Sequence, residues 1–177
     1  MRRREANAAL AALPLCLLTR GAAANQPPKA LSALLPDLRP WGQGTFRRFG
    51  FLVYEASLWA GEGERPTPPL ALGLTYQRNI AGKAIAQASV DQMRRFDVSE
   101  TQLERWGQQM LAIFPDVKPG DRILGLQMPD RARFFFNDAP IGEIADPAFA
   151  RAFFAIWLDP RTSEPALRAA LLKRAAS

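Results

Sequence analysis

The spacing of apolar and polar residues changes period along the chain, and those changes mark its elements. Between residues 45 and 60 apolar side chains fall on both parities: Phe49, Phe51, Val53, Ser57 and Trp59 on one, Leu52, Tyr54, Ala56 and Leu58 on the other. A segment apolar on both faces predicts β-structure covered on both sides. Residues 61–69 are rich in Gly, Pro and charge and predict a solvated loop. Residues 70–78 resume a strand, with Leu70, Leu72, Leu74 and Tyr76 opposite Ala71, Gly73, Thr75 and Gln77. From residue 81 to 95 the period becomes helical: Ile85, Ala88 and Gln92 or Met93 recur, with Lys83, Gln87, Asp91 and Arg94 between them. A second helix starts at Ser99, which forms a capping box with Gln102 and leads the stripe Leu103, Trp106, Met110 and Ile113 as far as Pro115.

The C-terminal third alternates turns and strands. Pro119-Gly120 turns into a strand over 122–128, Pro129-Asp130 into another over 131–137, and Asn137-Asp138 turns again. Asp146 caps a helix with Pro147 at its first position, running to about residue 158, and a short helix over 165–173 follows. Ahead of all this, residues 25–40 are rich in Pro, Ala and Leu and read as an extended arm. Strands, two helices, strands, then helices is not a βαβ alternation. It predicts one α+β domain, a large antiparallel sheet covered on one face by a helix layer.

Composition changes the picture mainly at the N-terminus. Arg2, Arg3 and Arg4 precede a short apolar run over 8–18, and Ala22-Ala23-Ala24 supplies the small residues that signal peptidase needs. Residues 1–24 are therefore expected to be a signal peptide, with 25–40 the arm and 41–177 the domain. The apolar run is shorter than the ~20 residues of a bilayer span, so the mature chain is expected to lack a transmembrane segment and to be periplasmic or secreted. Leu15 before Cys16 makes a poor lipobox, and Glu5-Ala6-Asn7 lacks the apolar pair that would follow a twin-arginine motif.

Removing residues 1–24 removes the single cysteine, and the chain has no histidine. Disulfides, thiol nucleophiles, Cys/His zinc sites, Ser-His-Asp triads and imidazole bases all fall away. No carboxylate pair suggests glycosidase chemistry, and no metal or other cofactor is expected. Residues 1–24 carry half of the net charge of +6. No basic run is interleaved with aromatics, so nucleic acid is not an expected partner.

Several stretches resemble the chalcone isomerase-like family in its bacterial secreted branch. They are Gly42-Gln-Gly-Thr-Phe-Arg-Arg48, Phe51-Leu-Val-Tyr-Glu-Ala-Ser-Leu-Trp59, Leu74-Thr-Tyr-Gln-Arg-Asn-Ile80, Phe114-Pro-Asp-Val-Lys-Pro-Gly-Asp121, Phe136-Asn-Asp-Ala-Pro-Ile-Gly-Glu-Ile144 and Ile156-Trp-Leu158. The resemblance implies an open-faced β-sandwich with a ligand cleft between sheet and helices. In that family the plant enzymes cyclise a chalcone to a flavanone using a cleft Arg, Thr, Tyr and Asn, while non-catalytic members bind fatty acids through an Arg and a Tyr. The resemblance places the Arg at Arg47 or Arg48. It places Tyr54 where the enzymes have the Thr, and Ala150 near the position of a late-helix hydroxyl. The Tyr and Asn of the following helix have no counterpart around Ile85. The flavanone-forming set is therefore broken.

The candidate ligand-binding residues are Arg47, Arg48, Tyr54, Tyr76 and Arg78. Arg48 and Tyr54 share a parity but lie about 20 Å apart along an extended strand, so they converge only if the chain reverses near Gly50. Tyr76 and Arg78 alternate onto one face about 7 Å apart, where a phenol and a forked guanidinium suit one carboxylate. The opposing readings are strand-end surface arginines and core tyrosines with satisfied hydroxyls. The expected function is non-catalytic binding of a small apolar carboxylate or phenolate, fatty-acid-like, in the cleft. The competing class is an isomerase of the intramolecular-lyase type, in which Arg and Tyr stabilise an enolate. A third is a structural envelope protein with a filled cleft.

Overall fold

The structure, a computed structural model, describes residues 27–174. Its centre is a six-stranded antiparallel sheet in sequential order: β1 Arg39–Arg48, β2 Phe51–Ala60, β3 Leu70–Tyr76, β4 Arg122–Gln127, β5 Ala132–Phe136 and β6 Ala139–Ile144. Among the described residues five helices accompany it: α1 Lys29–Leu34, α2 Gly82–Met93, α3 Glu100–Ile113, α4 Pro147–Leu158 and α5 Pro165–Leu172. This is the expected α+β architecture, an open sheet with helices over it.

The apolar parities of the sequence become the two faces of the sheet. Leu70, Leu72, Leu74 and Tyr76 of β3 point into the main core, with Ala56 and Leu58 of β2 and Phe134 of β5. They meet Ala86, Val90 and Met93 of α2, Leu103, Trp106 and Met110 of α3, and Phe149, Phe153 and Trp157 of α4. The Ser99 capping box forms, its hydroxyl accepting from the Gln102 backbone. At the start of α4 the Asp146 carboxylate accepts from the backbone of Ala148 and Phe149 and from Trp106 Nε1 at 3.0 Å. Burial opposes its charge, but these donors and the Arg105 guanidinium outweigh that and hold its carboxyl below the usual carboxylate range. One side chain thus both caps α4 and pins α3 to it.

Three local expectations are corrected. Residues 45–60 are not one strand but the arms of a hairpin. The chain reverses at Phe49-Gly50, where φ is 51° and 80°, the paired left-handed backbone of a two-residue hairpin turn. Residues 25–40 are not a wholly extended arm, because 29–34 form α1 and β1 already begins at Arg39. α1 buries Ala30 and Leu31 on the opposite sheet face, against Trp59, Ala71, Leu124, Leu126 and Phe135, so the helices do not all lie on one side. Finally, the segment after the Asn137-Asp138 turn, to which the sequence pattern assigns no element, is β6, a short edge strand whose Pro140 is tolerated because an edge lacks a partner on one side.

Candidate functional site

Where β1, β2 and β3 end beside the helix layer, the sheet and helices part around a cavity of about 450 Å³. Its sheet wall is Phe46, Tyr54, Leu74, Tyr76 and Ile123, its helix wall Ile85 and Ala88 of α2 with Phe153, Ile156 and Trp157 of α4. The volume falls within the ~300–1,000 Å³ typical of small-molecule pockets. A wider concavity of about 840 Å³ lies elsewhere, lined by Gln43, Thr45, Glu55, Ser57 and Thr75 with Ala166 and Ala170. Small and polar side chains there give a ligand little apolar area to bury.

The hairpin register brings the sequence candidates together. Phe46 pairs with Tyr54 but Arg47 pairs with Leu52, which leaves Val53 as an extra residue on β2. That bulge re-aims the strand end, so Arg48 and Phe46 of β1 and Tyr54 of β2 all reach the cavity. Tyr54 in turn pairs with Tyr76 on β3, their rings edge-to-face at 5.9 Å, while Phe46 stacks on Tyr54 at 5.0 Å. Arg48, Tyr54, Tyr76 and Arg78 all line the cavity. Arg47 does not: its side chain turns back along the hairpin, where Nη1 donates to Gly50 O at 3.3 Å.

The two tyrosines differ in what they still offer. The Tyr54 hydroxyl accepts from Trp157 Nε1 at 3.1 Å, so its own proton remains available. The Tyr76 hydroxyl has no protein partner among the described residues, though the residue is only 3% exposed. Burial pushes the Tyr54 phenol up to about 12, the Trp157 hydrogen bond opposing and the Glu164 charge adding to the effect. Burial, with Tyr54 beside it, raises Tyr76 as well. Both phenols are therefore neutral donors at ordinary pH. Arg78 Nε donates to Leu52 O at 3.3 Å and its guanidinium lies 4.7 Å from the Phe51 ring centroid. Neither Arg48 nor Arg78 pairs with a carboxylate among the described residues, and both are exposed at the cavity mouth.

Other lining residues were not legible as such. Of the expected α2 stripe Ile85, Ala88 and Gln92 or Met93, the first three face the cavity, while Met93 joins Ala86 and Val90 on the core side. Gln92 Oε1 accepts from the Ser163 hydroxyl at 2.9 Å, closing the far side beside Glu164. Ala150 is buried in the core and does not line the cavity. Among the described residues no cluster of Asp, Glu, His or Cys is placed to hold a metal, and no helix is long and apolar enough to cross a membrane.

Comparison with known proteins places this geometry. A family described as chalcone isomerase-like matches residues 26–173. An uncharacterised protein of Haemophilus influenzae is 29% identical over 141 residues, 78% of this chain and 70% of that protein. The crystal structure of a fatty-acid binding protein from Arabidopsis thaliana superposes with a TM-score of 0.59 at 11% identity, covering 77% of this chain and 87% of that one. At that identity the likeness is one of fold.

Proposed function

The chain belongs to the chalcone isomerase-like family, and from that premise we propose that it is an exported, non-catalytic protein that binds a fatty-acid-like carboxylate or phenolate in this cavity. The observation that carries the reading is one apolar cavity in which two neutral phenols and two guanidiniums without acidic partners converge. An alkyl or aryl body buried against Leu74, Ile85, Phe153 and Ile156 gains about 0.8 kcal/mol per methylene. Neutral Tyr54 and Tyr76 donate hydrogen bonds to an acidic head, and Arg48 and Arg78 neutralise it at the mouth. The structural neighbour's description as a fatty-acid binding protein points the same way. So does the absence of histidine from the chain, together with phenols too weakly acidic to serve as bases. Export, cleavage near Ala24 and membership of a bacterial secreted branch belong to the same proposal and rest on the sequence of residues 1–24.

Native mass spectrometry of protein recovered from a bacterial periplasm, after expression with its own leader, tests these points together. The expected species starts at Asn25 and carries an adduct of fatty-acid mass that is lost on denaturation. After delipidation, the Arg48→Gln/Arg78→Gln double variant is expected to bind palmitate at least about tenfold more weakly, the loss of charge-assisted hydrogen bonds to the head group. Unchanged palmitate binding would show that the anchor assignment is wrong. An empty protein that converts a chalcone-like enone to its cyclised product would replace binding with isomerase chemistry.

A further inference from the structure

The β1–β2 hairpin tip carries side chains that folding alone does not explain. Phe49 is 88% exposed and Phe51 61% exposed. Phe49 also stands at φ 51°, a left-handed position that a bulky side chain rarely takes and that asparagine, aspartate or glycine fills without strain. Fold stability would favour Asn-Gly here, and the chain has Phe-Gly. A residue that breaks a local rule and gains no burial from it marks a functional contact.

Charge surrounds these rings. Arg48 lies 5.4 Å from the Phe49 ring centroid and Arg78 lies 4.7 Å from that of Phe51. Arg47 is exposed beside them, and none of the three arginines pairs with a carboxylate among the described residues. Residues 46–54 and 76–80 carry Arg47, Arg48 and Arg78 and no acid. Exposed aromatics ringed by arginines at a hairpin tip match the chemistry of an anionic bilayer surface, with rings entering the interface and guanidiniums meeting phosphates. The same arginines border the cavity mouth.

We propose that the Phe49-Gly50 hairpin tip docks the protein on anionic lipid bilayers, with the cavity mouth facing the membrane. The docking takes its biological sense from the cavity reading above, but it needs no cavity ligand. It is therefore tested on delipidated protein and vesicles free of fatty acid, so either reading can fail without the other. In cosedimentation, the protein is expected to bind vesicles of mixed phosphatidylglycerol and phosphatidylcholine, to bind pure phosphatidylcholine far less, and to be released as salt rises. Phe49→Asn relieves the turn and is expected to keep or raise the melting temperature. Combined with Phe51→Thr it is expected to lower vesicle partitioning at least about tenfold, well beyond any loss of palmitate binding in solution, since neither ring lines the cavity and each only lies against a mouth arginine. Arg47→Gln is expected to weaken anionic-vesicle binding alone. Failure of the wild-type protein to sediment with anionic vesicles, or equal partitioning of the double Phe variant with its folding intact, would overturn the proposal.

Discussion

Trp157 donates to the Tyr54 hydroxyl, whereas the Tyr76 hydroxyl has no protein partner among the described residues, and this difference separates a structural phenol from a purely ligand-facing one. Tyr54→Phe leaves the indole N–H of Trp157, a buried residue, without its acceptor and is expected to cost about 1 kcal/mol, seen as a lower melting temperature. Tyr76→Phe is expected to leave stability nearly unchanged and to weaken palmitate binding. The chain has only these two tyrosines, so tyrosinate absorbance reports on the cavity alone. In the unfolded chain both lose their protons near pH ~10; in the folded protein Tyr54 holds its proton to about 12 and Tyr76 is raised too. Below pH ~10 both states are protonated and the phenols add no pH dependence. Above it the unfolded chain releases protons that the folded one keeps, so stability falls as pH rises from ~10 through the folded values. A native alkaline titration with its midpoint near the free-phenol value would mean that the rings are not buried as described. The sequence made Tyr76 and Arg78 visible by their alternation. It hid Trp157, because an indole in an apolar helix reads as core, and this one packs in the core and lines the cavity as well.

At the scale of elements, periodicity reports that a helix exists more readily than which way it faces. The α2 sequence has small or apolar residues on two adjacent stripes. Ala86, Val90 and Met93 take the core and Ile85, Ala88 and Gln92 the cavity, and nothing local ranks one above the other. What fixes the rotation is the N-terminal anchor. Gly82 N donates to the Asp116 carboxylate at 2.8 Å, Ile80 and Val117 bridge as a strand pair, and a Cβ on Gly82 would collide with Phe114 O. Gly82→Ala therefore pushes backbone against backbone, with no flexible side chain to yield. It is expected to destabilise by about 2 kcal/mol or more, against the gain of up to about 1 kcal/mol that helix propensity would give alanine in open space. Because α2 carries one cavity wall, palmitate affinity is expected to fall with it. Chemical denaturation and titration of the same variant check both, and a gain in stability would show that this contact does not set α2. The hairpin and β6 were harder to read for related reasons. Phe-Gly is not a favoured turn pair, and Pro140 with Gly142 interrupts the alternation of a strand that sits at an edge.

The molecule as a whole has an asymmetric sheet. One face carries the main core, the cavity and most of the helices, while the other has, among the described residues, only α1 over Trp59, Ala71, Leu124, Leu126 and Phe135. α1 is six residues long, too short to be stable in isolation, so its helicity comes from docking. Leu31 is 1% exposed there, and Leu38 buries itself beside it. The Ala30 N–H reaches Asp138 Oδ1 at 3.4 Å, and Asp138 also receives the Arg122 guanidinium at 3.1 Å. The segment that the sequence presented as a leader-side arm is thus part of the fold from Ala30 onward. The proposed cleavage after Ala24 falls ahead of the described residues and leaves this cover intact. Starting the chain at Arg39 removes it, and that variant is expected to lose at least about 3 kcal/mol, from Leu31 and Leu38 burial and from the apolar back face laid open. A second readout separates lost packing from general damage. The exposed Trp59, Leu126 and Phe135 face is expected to drive concentration-dependent self-association, while the cavity, lined wholly by residues from Phe46 onward, keeps its palmitate affinity at concentrations where the variant remains monomeric. Urea denaturation, sedimentation and palmitate titration on that one variant decide the matter. An unchanged urea midpoint would mean that α1 rests on the sheet without holding it.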